Sequence, residues 1–298
     1  MHVPDFFIAG APKCGTTSLY RYLADHPGVA MSPRKEPAFW SPDVPSGAPV
    51  TDPRDYDALW KDAPDGALRG EASPHYLRSD VAVPAILRAR PDARFVVLLR
   101  RPADLAAALH SEHVKSRVED VGSFERAWRL QPARRRGERV PRACRKPVTL
   151  DYERTAAVGD QLERFVSWVP EGRRLVLLLD DLHREPRATY LRVLDFLGLP
   201  DDGRRDFPRH NTNVNVRSPR VERAHRSLPR RLGPLYAPLR AVTTRAGVHP
   251  LRTAARLNVV DAERPALSPA LEAELRDAFA GQVDKLEAIL GRDLTHWR

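Results

Sequence analysis

The sequence of 298 residues has little cysteine, few aromatic side chains and no long apolar segment, and each shortage excludes a class of protein. Two cysteines, Cys14 and Cys144, cannot build the disulfide framework of a small secreted domain. No apolar run approaches the about 20 residues that a membrane-spanning helix needs. Residues 1–5 lack the basic start of a secretory signal peptide, and no long apolar stretch follows them. We therefore expect a cytoplasmic protein with no membrane partner.

The formal net charge of +10 at pH 7 indicates an anionic partner, but not which kind. A nucleic acid, an acidic glycan and a nucleotide with several phosphates all fit, and the arginine excess is equally consistent with compositional drift. Aromatic residues are only 7% of the chain, which is few for stacking on single-stranded nucleic acid, and no recognised nucleic-acid-binding motif is present. We expect no nucleic-acid partner, and a basic nucleic-acid-binding protein stays as an alternative.

Short apolar runs separated by helical patterns predict an α/β fold. Three runs are too short for helices and are typical of buried parallel strands: 6–9, 95–99 and 175–179. Helical patterns follow them or lie between them at 18–26, 155–168 and 191–197. The clearest helix is predicted from the capping residue Ser268 to Gly291. Strands alternating with helices predict a P-loop-like three-layer fold, with a central parallel sheet flanked by helices.

Two segments interrupt this alternation. Residues 131–147 carry many arginines among prolines and predict an exposed basic loop. Residues 217–257 are basic and only weakly periodic, and predict an irregular, mainly helical elaboration. We expect a single domain over 1–298 that contains both segments.

The turn after the first apolar run has the spacing of a phosphate-binding loop, G-x-x-x-x-G-x-T, from Gly10 to Thr17. The position that carries lysine in a P-loop is Thr16, and the lysine stands three residues earlier, at Lys13. A lysine at the tip of the turn can neutralise a phosphate and its bridging oxygen without a metal ion. The pattern therefore favours a donor with one diester-like phosphate over ATP, and we expect no metal requirement.

A P-loop nucleotide kinase is the alternative among enzymes. It needs lysine at position 16 and an aspartate after a later strand that holds Mg²⁺. Thr16 fails the first requirement, whereas Asp180 and Asp181, after the third apolar run, can imitate the second.

Further short motifs follow the loop in order along the chain. They are HP at 26–27, KEPAFW at 35–40, GEASPHYL at 70–77, the strand and Arg-x-Pro turn at 95–102, FLGL at 196–199 and LGRDL at 290–294. Together with PKCGTTSLY at 12–20, they make the chain resemble the sulfotransferases that use 3′-phosphoadenosine-5′-phosphosulfate (PAPS). The resemblance is strongest to the branch of heparan-sulfate sulfotransferases and their bacterial relatives, and it covers nearly the whole chain.

The resemblance implies catalytic roles for three residues. Lys13 would contact the 5′-phosphate and stabilise the leaving group, and Glu36 would be the general base. His75 is the rival base, because the small-molecule sulfotransferases use a histidine in the corresponding region. Glu71 either assists the acceptor or is structural. The implied reaction moves a sulfuryl group from PAPS to a hydroxyl, or less readily an amine, of a small metabolite or glycoside.

The resemblance also implies a binding site for PAPS. The 5′ side would be bound by the loop residues Lys13, Cys14, Gly15, Thr16, Thr17 and Ser18. Arg100 would bind the 3′-phosphate, and a late loop would close over it with Arg217 and Ser218. Two positions depart from the family: Ala108 replaces a serine ligand, for which Ser111 is the candidate substitute, and Ala72 replaces a lysine. Cys14 is at a variable position, although a nearby lysine and helix N-terminus could lower its pKa.

Overall fold

Five parallel strands form a central sheet in the order β2-β3-β1-β4-β5. The computed structural model describes residues 2–209, 214–216, 259–261 and 267–298. The chain divides into two compact units, Met1–Pro208 with Leu267–Arg298, and Arg209–Ala266. The sheet belongs to the first unit, and its strands are β1 Phe6–Gly10, β2 Val29–Met31, β3 Leu68–Ala72, β4 Arg94–Leu99 and β5 Arg174–Leu178.

Helices flank the sheet. Up to β5 they are α1 Thr16–Ala24, α2 Pro53–Asp57, α3 Ala82–Ala89, α4 Pro102–Ser116, α5 Phe124–Arg129, α6 Gln131–Arg135, α7 Tyr152–Ala156 and α8 Val158–Trp168. After β5 come α9 Leu179–Arg184, α10 Pro186–Leu197 and the long α11 Pro269–Leu290. No helix among the described residues is long and apolar enough to cross a membrane.

The core lies on both faces of the sheet, which is why the central strands contain few polar residues. All five residues of β1 are buried. The Phe7 ring stacks on Phe95 of β4 with centroids 5.6 Å apart, and Phe95 meets Phe165 of α8 edge to face at 5.8 Å. Strands that are buried on both faces read as continuous apolar runs, and this explains why β1 and β4 are visible in the sequence.

The predicted central parallel sheet flanked by helices is confirmed. The third run is strand only to Leu178, because Leu179 begins α9. The helix predicted at 155–168 is two helices, α7 and α8, which meet at Ala157. The last helix is as predicted: the Ser268 hydroxyl accepts a hydrogen bond from the Leu271 N–H at 3.2 Å, and Gly291 ends the helix with φ +58°.

The prediction of an exposed basic loop at 131–147 needs a correction at its start. Residues Gln131–Arg135 form α6, and Arg134 is only 3% exposed because both of its terminal nitrogens donate to the Glu119 carboxylate, at 2.5 and 2.6 Å. Arg135 is paired with Asp151 and Glu153. Within 131–147, the exposed cations without a carboxylate partner among the described residues are Arg139, Arg142, Arg145 and Lys146.

The second unit contains an antiparallel pair, β6 Val214–Val216 and β7 Val259–Asp261, in which Asn215 is opposite Val260. The elaboration predicted at 217–257 lies outside the described residues. The single-domain organisation stays a prediction.

We predict that Gly15→Ala lowers the free energy of unfolding by about 2–4 kcal/mol. Gly15 has φ +88°, and an added Cβ would lie 2.8 Å from Cδ1 of Leu179. Urea denaturation measures the change. Gly122→Ala is the matched control, since a Cβ there meets no atom within 4 Å, and its effect should stay within about 1 kcal/mol. Equal effects in the two variants would contradict the steric explanation.

Candidate active site

The candidate residues gather at one edge of the sheet, because the carboxyl ends of parallel strands all point the same way. Backbone hydrogen bonds continue the sheet pattern into the loops that follow β1, β2 and β3. The Ala11 N–H donates to the Leu98 carbonyl at 2.6 Å, and the Ser73 N–H donates to the Ile8 carbonyl at 3.1 Å. The Glu36 N–H donates to the Ala72 carbonyl at 2.9 Å. The starting points of these loops are therefore fixed by the sheet.

The loop between β1 and α1 has the geometry of an anion cradle. Lys13 and Gly15 both have positive φ, +62° and +88°, and Gly15 lies immediately before the first turn of α1. The N-terminal N–H groups of a helix and its dipole favour a bound anion. Thr16 and Ser18 are buried on the inner side of this turn, and Thr17 is half-buried. The loop can receive a phosphate on its outer side, with Lys13 at its tip.

The Lys13 ammonium lies 3.2 Å from Oε2 of Glu112, which is on α4. Burial is the largest influence on the Glu112 carboxyl and would raise its pKa, but the charge and hydrogen bond of Lys13, together with Lys115 and His113, outweigh it, and the pKa is lowered. Glu112 is thus an anion held against the tip of the phosphate loop. This ion pair connects the loop to α4 across the edge of the sheet.

Cys14 is buried beneath the loop. Its thiol points to the Pro12 carbonyl oxygen at 3.4 Å, and its side chain has no exposed surface. Burial raises the pKa of the thiol to about 12, although Arg100 and Lys13 act in the opposite direction. The expectation that the lysine and the helix N-terminus could lower this pKa is therefore wrong, because the loss of hydration dominates.

Glu36 and His75 line the same open cavity, of about 270 Å³. Glu36 has φ +62°, and its carboxylate forms an ion pair with the neighbouring Lys35 while staying 45% exposed. The loops after β2 and β3 form this cavity, because β2 and β3 are adjacent in the sheet. The structure therefore brings together the two residues that the sequence proposes as rival bases.

His75 is held as a neutral imidazole. Burial lowers its pKa to about 3, with contributions from the charges of Arg78, His113 and Lys35. Burial likewise lowers the pKa of His113, on α4, to about 4. The Nδ1 atoms of both rings are buried and have no hydrogen-bond partner among the described residues. Each of these two neutral imidazoles thus has a buried, unsatisfied nitrogen, and His75 is the one that lines the cavity.

Glu71 is structural in its contacts. Its side chain is completely buried and accepts hydrogen bonds from the Tyr56 hydroxyl and from the Ser73 hydroxyl, the latter at 2.6 Å. Burial raises the pKa of Glu71 to about 7, although these hydrogen bonds oppose the shift. The Ser73 hydroxyl in turn accepts from the Ala38 N–H at 3.0 Å. Through Ser73, the buried carboxyl group holds the loop that carries Glu36.

Arg100 follows β4 and is half-buried, and its nearest partner is Asp104 at 3.4 Å. Its charge is close enough to Cys14 to act on the thiol pKa, which places the guanidinium near the phosphate loop. The Ser111 hydroxyl donates to the Ala107 carbonyl of its own helix at 3.0 Å. Ala108 is fully buried. Arg217 and Ser218 lie outside the described residues.

Arg101 and the acidic pair that follows β5 attach the C-terminal segment, residues 267–298, to the rest of the first unit. Arg101 donates to the Trp297 carbonyl at 2.8 Å and pairs with Glu272, so its guanidinium is held by the C-terminal segment. The Asp180 carboxylate accepts from the Trp297 indole at 2.9 Å. Asp181 pairs with Arg292. Both acidic side chains are therefore occupied by structural contacts.

The family model described as "Sulfotransferase domain" matches residues 3–228. The chain belongs to the sulfotransferase family. The resemblance stated from the sequence is confirmed, and it outweighs the nucleotide-kinase alternative. A solved sulfotransferase from Alicyclobacillus acidocaldarius has the same fold, with 25% identity, a TM-score of 0.72 and full coverage of both chains.

Curated relatives of this sulfotransferase-family chain are much longer proteins. Carbohydrate sulfotransferase 15 of Homo sapiens is 54% identical over 39 residues, 13% of this chain and 7% of that protein. The bifunctional heparan sulfate N-deacetylase/N-sulfotransferase 2 of Homo sapiens is 24% identical over 214 residues, 66% of this chain and 22% of that protein. The chain thus matches less than a quarter of the length of either relative.

The sequence analysis missed Glu112 of this sulfotransferase-family site and weighed His113 only as a less favoured base than Glu36 or His75. Both lie on α4, more than ten residues after the end of β4, and only the fold brings that helix beside the Lys13 loop. The sequence signal that could have identified them was the spacing of three and four residues along α4, which places side chains on one face of the helix. Residues 108, 111 and 112 share a face there, and the sequence analysis used that face only to consider Ser111.

We predict that Glu71→Gln changes how stability depends on pH. Because the folded-state pKa is raised, to about 7, the carboxyl stabilises the fold fully only below its unfolded value near 4.5. That stability is lost as pH rises through about 7. In urea titrations at pH 4.5–8, the variant should therefore gain stability relative to the unmodified protein as pH rises, by up to about 3 kcal/mol. The exposed Glu171→Gln is the control, and parallel profiles for all three proteins would refute the buried-carboxyl assignment.

Proposed function

We propose that this protein transfers a sulfuryl group from PAPS to a hydroxyl group of a small acceptor. The observation that supports it most is that a cationic phosphate loop after β1, and an open cavity with a carboxylate and a neutral imidazole after β2 and β3, follow the carboxyl ends of neighbouring parallel strands. The family assignment makes sulfuryl transfer the reaction class to consider. The loop has its lysine at position 13 and not at position 16, where a P-loop has it, and this favours a donor with one diester-like phosphate over ATP.

Lys13 would stabilise the leaving group. In sulfuryl transfer the acceptor oxygen attacks sulfur as the bond from sulfur to the 5′-phosphate oxygen breaks, and negative charge develops on that phosphate. A cation placed at the developing charge lowers the barrier most when it is already in position. The ion pair of Lys13 with Glu112, at 3.2 Å, holds the ammonium at the loop tip before any donor arrives. The loop N–H groups up to Ser18 would bind the same phosphate.

Glu36 would take the acceptor proton. The acceptor hydroxyl loses its proton as it forms the bond to sulfur, and a carboxylate on the cavity wall is suited to accept it. His75 is neutral and can accept a hydrogen bond, but a conjugate acid with a pKa of about 3 is a weak driving force for proton transfer. We therefore assign the base to Glu36, and to His75 a neutral wall of the cavity beside the reacting hydroxyl.

Arg100 would bind the 3′-phosphate of the donor. It follows β4 at the ligand-binding edge of the sheet, and its only ion pair among the described residues is the 3.4 Å contact with Asp104. A phosphate offers the guanidinium two oxygens and would be a stronger partner than this long contact. Arg217 and Ser218 are proposed to complete this half of the site. Ser111 is a weaker candidate, since its hydroxyl proton is already donated to Ala107.

The proposal is tested by the choice of nucleotide that binds and by two substitutions, one for the donor loop and one for the base. We expect adenosine 3′,5′-bisphosphate, the product of PAPS, to bind in calorimetry without a metal ion and in preference to ATP. With ³⁵S-labelled PAPS and extracts of the source cell, Lys13→Ala should reduce the transfer rate by about 10²–10³-fold. Glu36→Gln should reduce it by about 10²–10⁴-fold.

Glu138→Gln is the control for these substitutions, because Glu138 is exposed and pairs with Arg136 in the basic loop. Unchanged transfer in both Lys13→Ala and Glu36→Gln would refute the mechanism. Tight metal-dependent binding of ATP would instead favour the kinase alternative.

We predict that Cys14→Ala keeps most of the transfer activity. The thiol is buried, burial raises its pKa to about 12, and its hydrogen-bond partner among the described residues is the Pro12 carbonyl within the loop. The rate with labelled PAPS should therefore stay within about threefold, and a small loss of stability from the missing sulfur is expected. Loss of most activity in a variant that still folds would show that the thiol takes part in the reaction.

A further inference from the structure

A second open cavity, of about 250 Å³, lies on the same unit as the candidate active site. Its wall carries three arginines and three aspartates: Arg78, Arg154, Arg164, Asp43, Asp80 and Asp160. The formal charges of these six side chains sum to zero. The carboxylates and the guanidinium groups nevertheless differ in how far other contacts occupy them. The contacts of the carboxylates decide what the cavity can bind.

Each of the three aspartates has a partner of its own. The carboxylate of Asp43 accepts from the Ser79 hydroxyl at 2.7 Å and from the Asp80 N–H at 2.9 Å. Asp80 forms an ion pair with Arg164 at 2.9 Å. Asp160 pairs with Lys285 at 2.9 Å and accepts from Gln282 at 2.9 Å. Only one of these ion pairs uses a cavity arginine.

Arg78 and Arg154 have no carboxylate within ion-pair distance among the described residues. Arg78 is half-buried, and its guanidinium donates to the Thr155 hydroxyl at 3.1 Å. Burial and the nearby Arg154 charge lower the pKa of Arg78 to about 10, with Asp43 opposing. Two guanidinium groups that repel each other at a cavity wall are stabilised when an anion lies between them.

The residues that line the second cavity are close in sequence to residues that line the active-site cavity. Residues 43–45 line the second cavity, and residues 46–48 line the first. On the other wall, His75 lines the first cavity, and Arg78, one helical turn later, lines the second. A molecule whose hydroxyl lies beside Glu36 and His75 can therefore extend toward Arg78.

We propose that Arg78 and Arg154 form an oxyanion subsite for the acceptor, so that the acceptor carries a carboxylate, sulfate or phosphate group remote from the hydroxyl that reacts. This proposal rests on the proposed function, because it places the reacting hydroxyl in the first cavity. It makes the acceptor an anionic small molecule and gives the two arginines a positioning and selectivity role.

The test uses the full chain saturated with adenosine 3′,5′-bisphosphate, so that the phosphate loop is already occupied. Sodium sulfate is titrated against sodium chloride of equal ionic strength, and binding is followed by calorimetry and by Tm. We expect saturable sulfate binding that weakens by about tenfold or more in Arg78→Gln and in Arg154→Gln. The matched control is Arg142→Gln, an exposed cation of the basic loop, which should bind sulfate as the unmodified protein does.

A pair of isosteric compounds tests whether the subsite binds an anionic group of an acceptor molecule or only a free ion. 4-(Hydroxymethyl)benzoate and 4-(hydroxymethyl)benzamide differ in charge and hardly in size. The benzoate should bind the bisphosphate-loaded protein at least about tenfold more tightly, and the two arginine variants should lose this preference. Equal binding of the pair, or binding of neither, would overturn the assignment to the acceptor. Sulfate binding that is the same in all variants would overturn the subsite itself.

Two controls show whether a negative result comes from a folding defect or from failure of the proposed function. Arg154 is exposed, and its replacement removes a repulsion, so the Tm of Arg154→Gln without added anion should not fall. A lower Tm would contradict the repulsive pair. If the bisphosphate does not bind, the proposed function fails, and the sulfate titration is repeated without it. The difference between Arg154→Gln and Arg142→Gln then still decides the subsite.

Discussion

The buried carboxyl group of Glu71 is the constraint on which the acceptor side of the site depends. It is enclosed by Tyr56, Ser73 and Tyr76, and its pKa is raised because burial outweighs their hydrogen bonds. The Tyr76 hydroxyl also accepts from the Trp40 N–H at 3.3 Å. The loop from β2 is thus attached to β3 by side chains as well as by backbone. Glu36 keeps a left-handed backbone because both sides of its loop are held in place.

Helix α4 connects this acceptor side to the donor loop. One of its residues, Glu112, neutralises Lys13, and the next, His113, is close enough to His75 to lower the pKa of that ring. The imidazoles stay neutral among several cations because burial and like charge act together. A neutral nitrogen can accept a hydrogen bond from a hydroxyl, which an imidazolium cannot do. The same helix therefore holds one cation in place and keeps two bases unprotonated.

The parts of the fold that the sequence predicts are those in which one local pattern has one structural solution. Strands β1 and β4 are buried on both faces and read as apolar runs, and the Lys13 loop follows from its glycine spacing. Strands β2 and β3 were not predicted, because β2 has three residues and β3 contains Arg69, Gly70 and Glu71. The meeting of Glu36 with His75 depends on those two strands being neighbours. Long-range pairing of this kind leaves no local signal.

The net positive charge indicates a binding site only once the ion pairs show which arginines lack a carboxylate partner. The arginine run that draws attention in the sequence is partly neutralised, since Arg134 and Arg135 have carboxylate partners. Unpaired arginines instead remain at Arg78 and Arg154, in a cavity whose aspartates are occupied elsewhere. Arg78 is half-buried, so water screens its charge less than it screens the charge of an exposed arginine. The anionic partner indicated by composition therefore fits the acceptor end of the site as well as the donor phosphates.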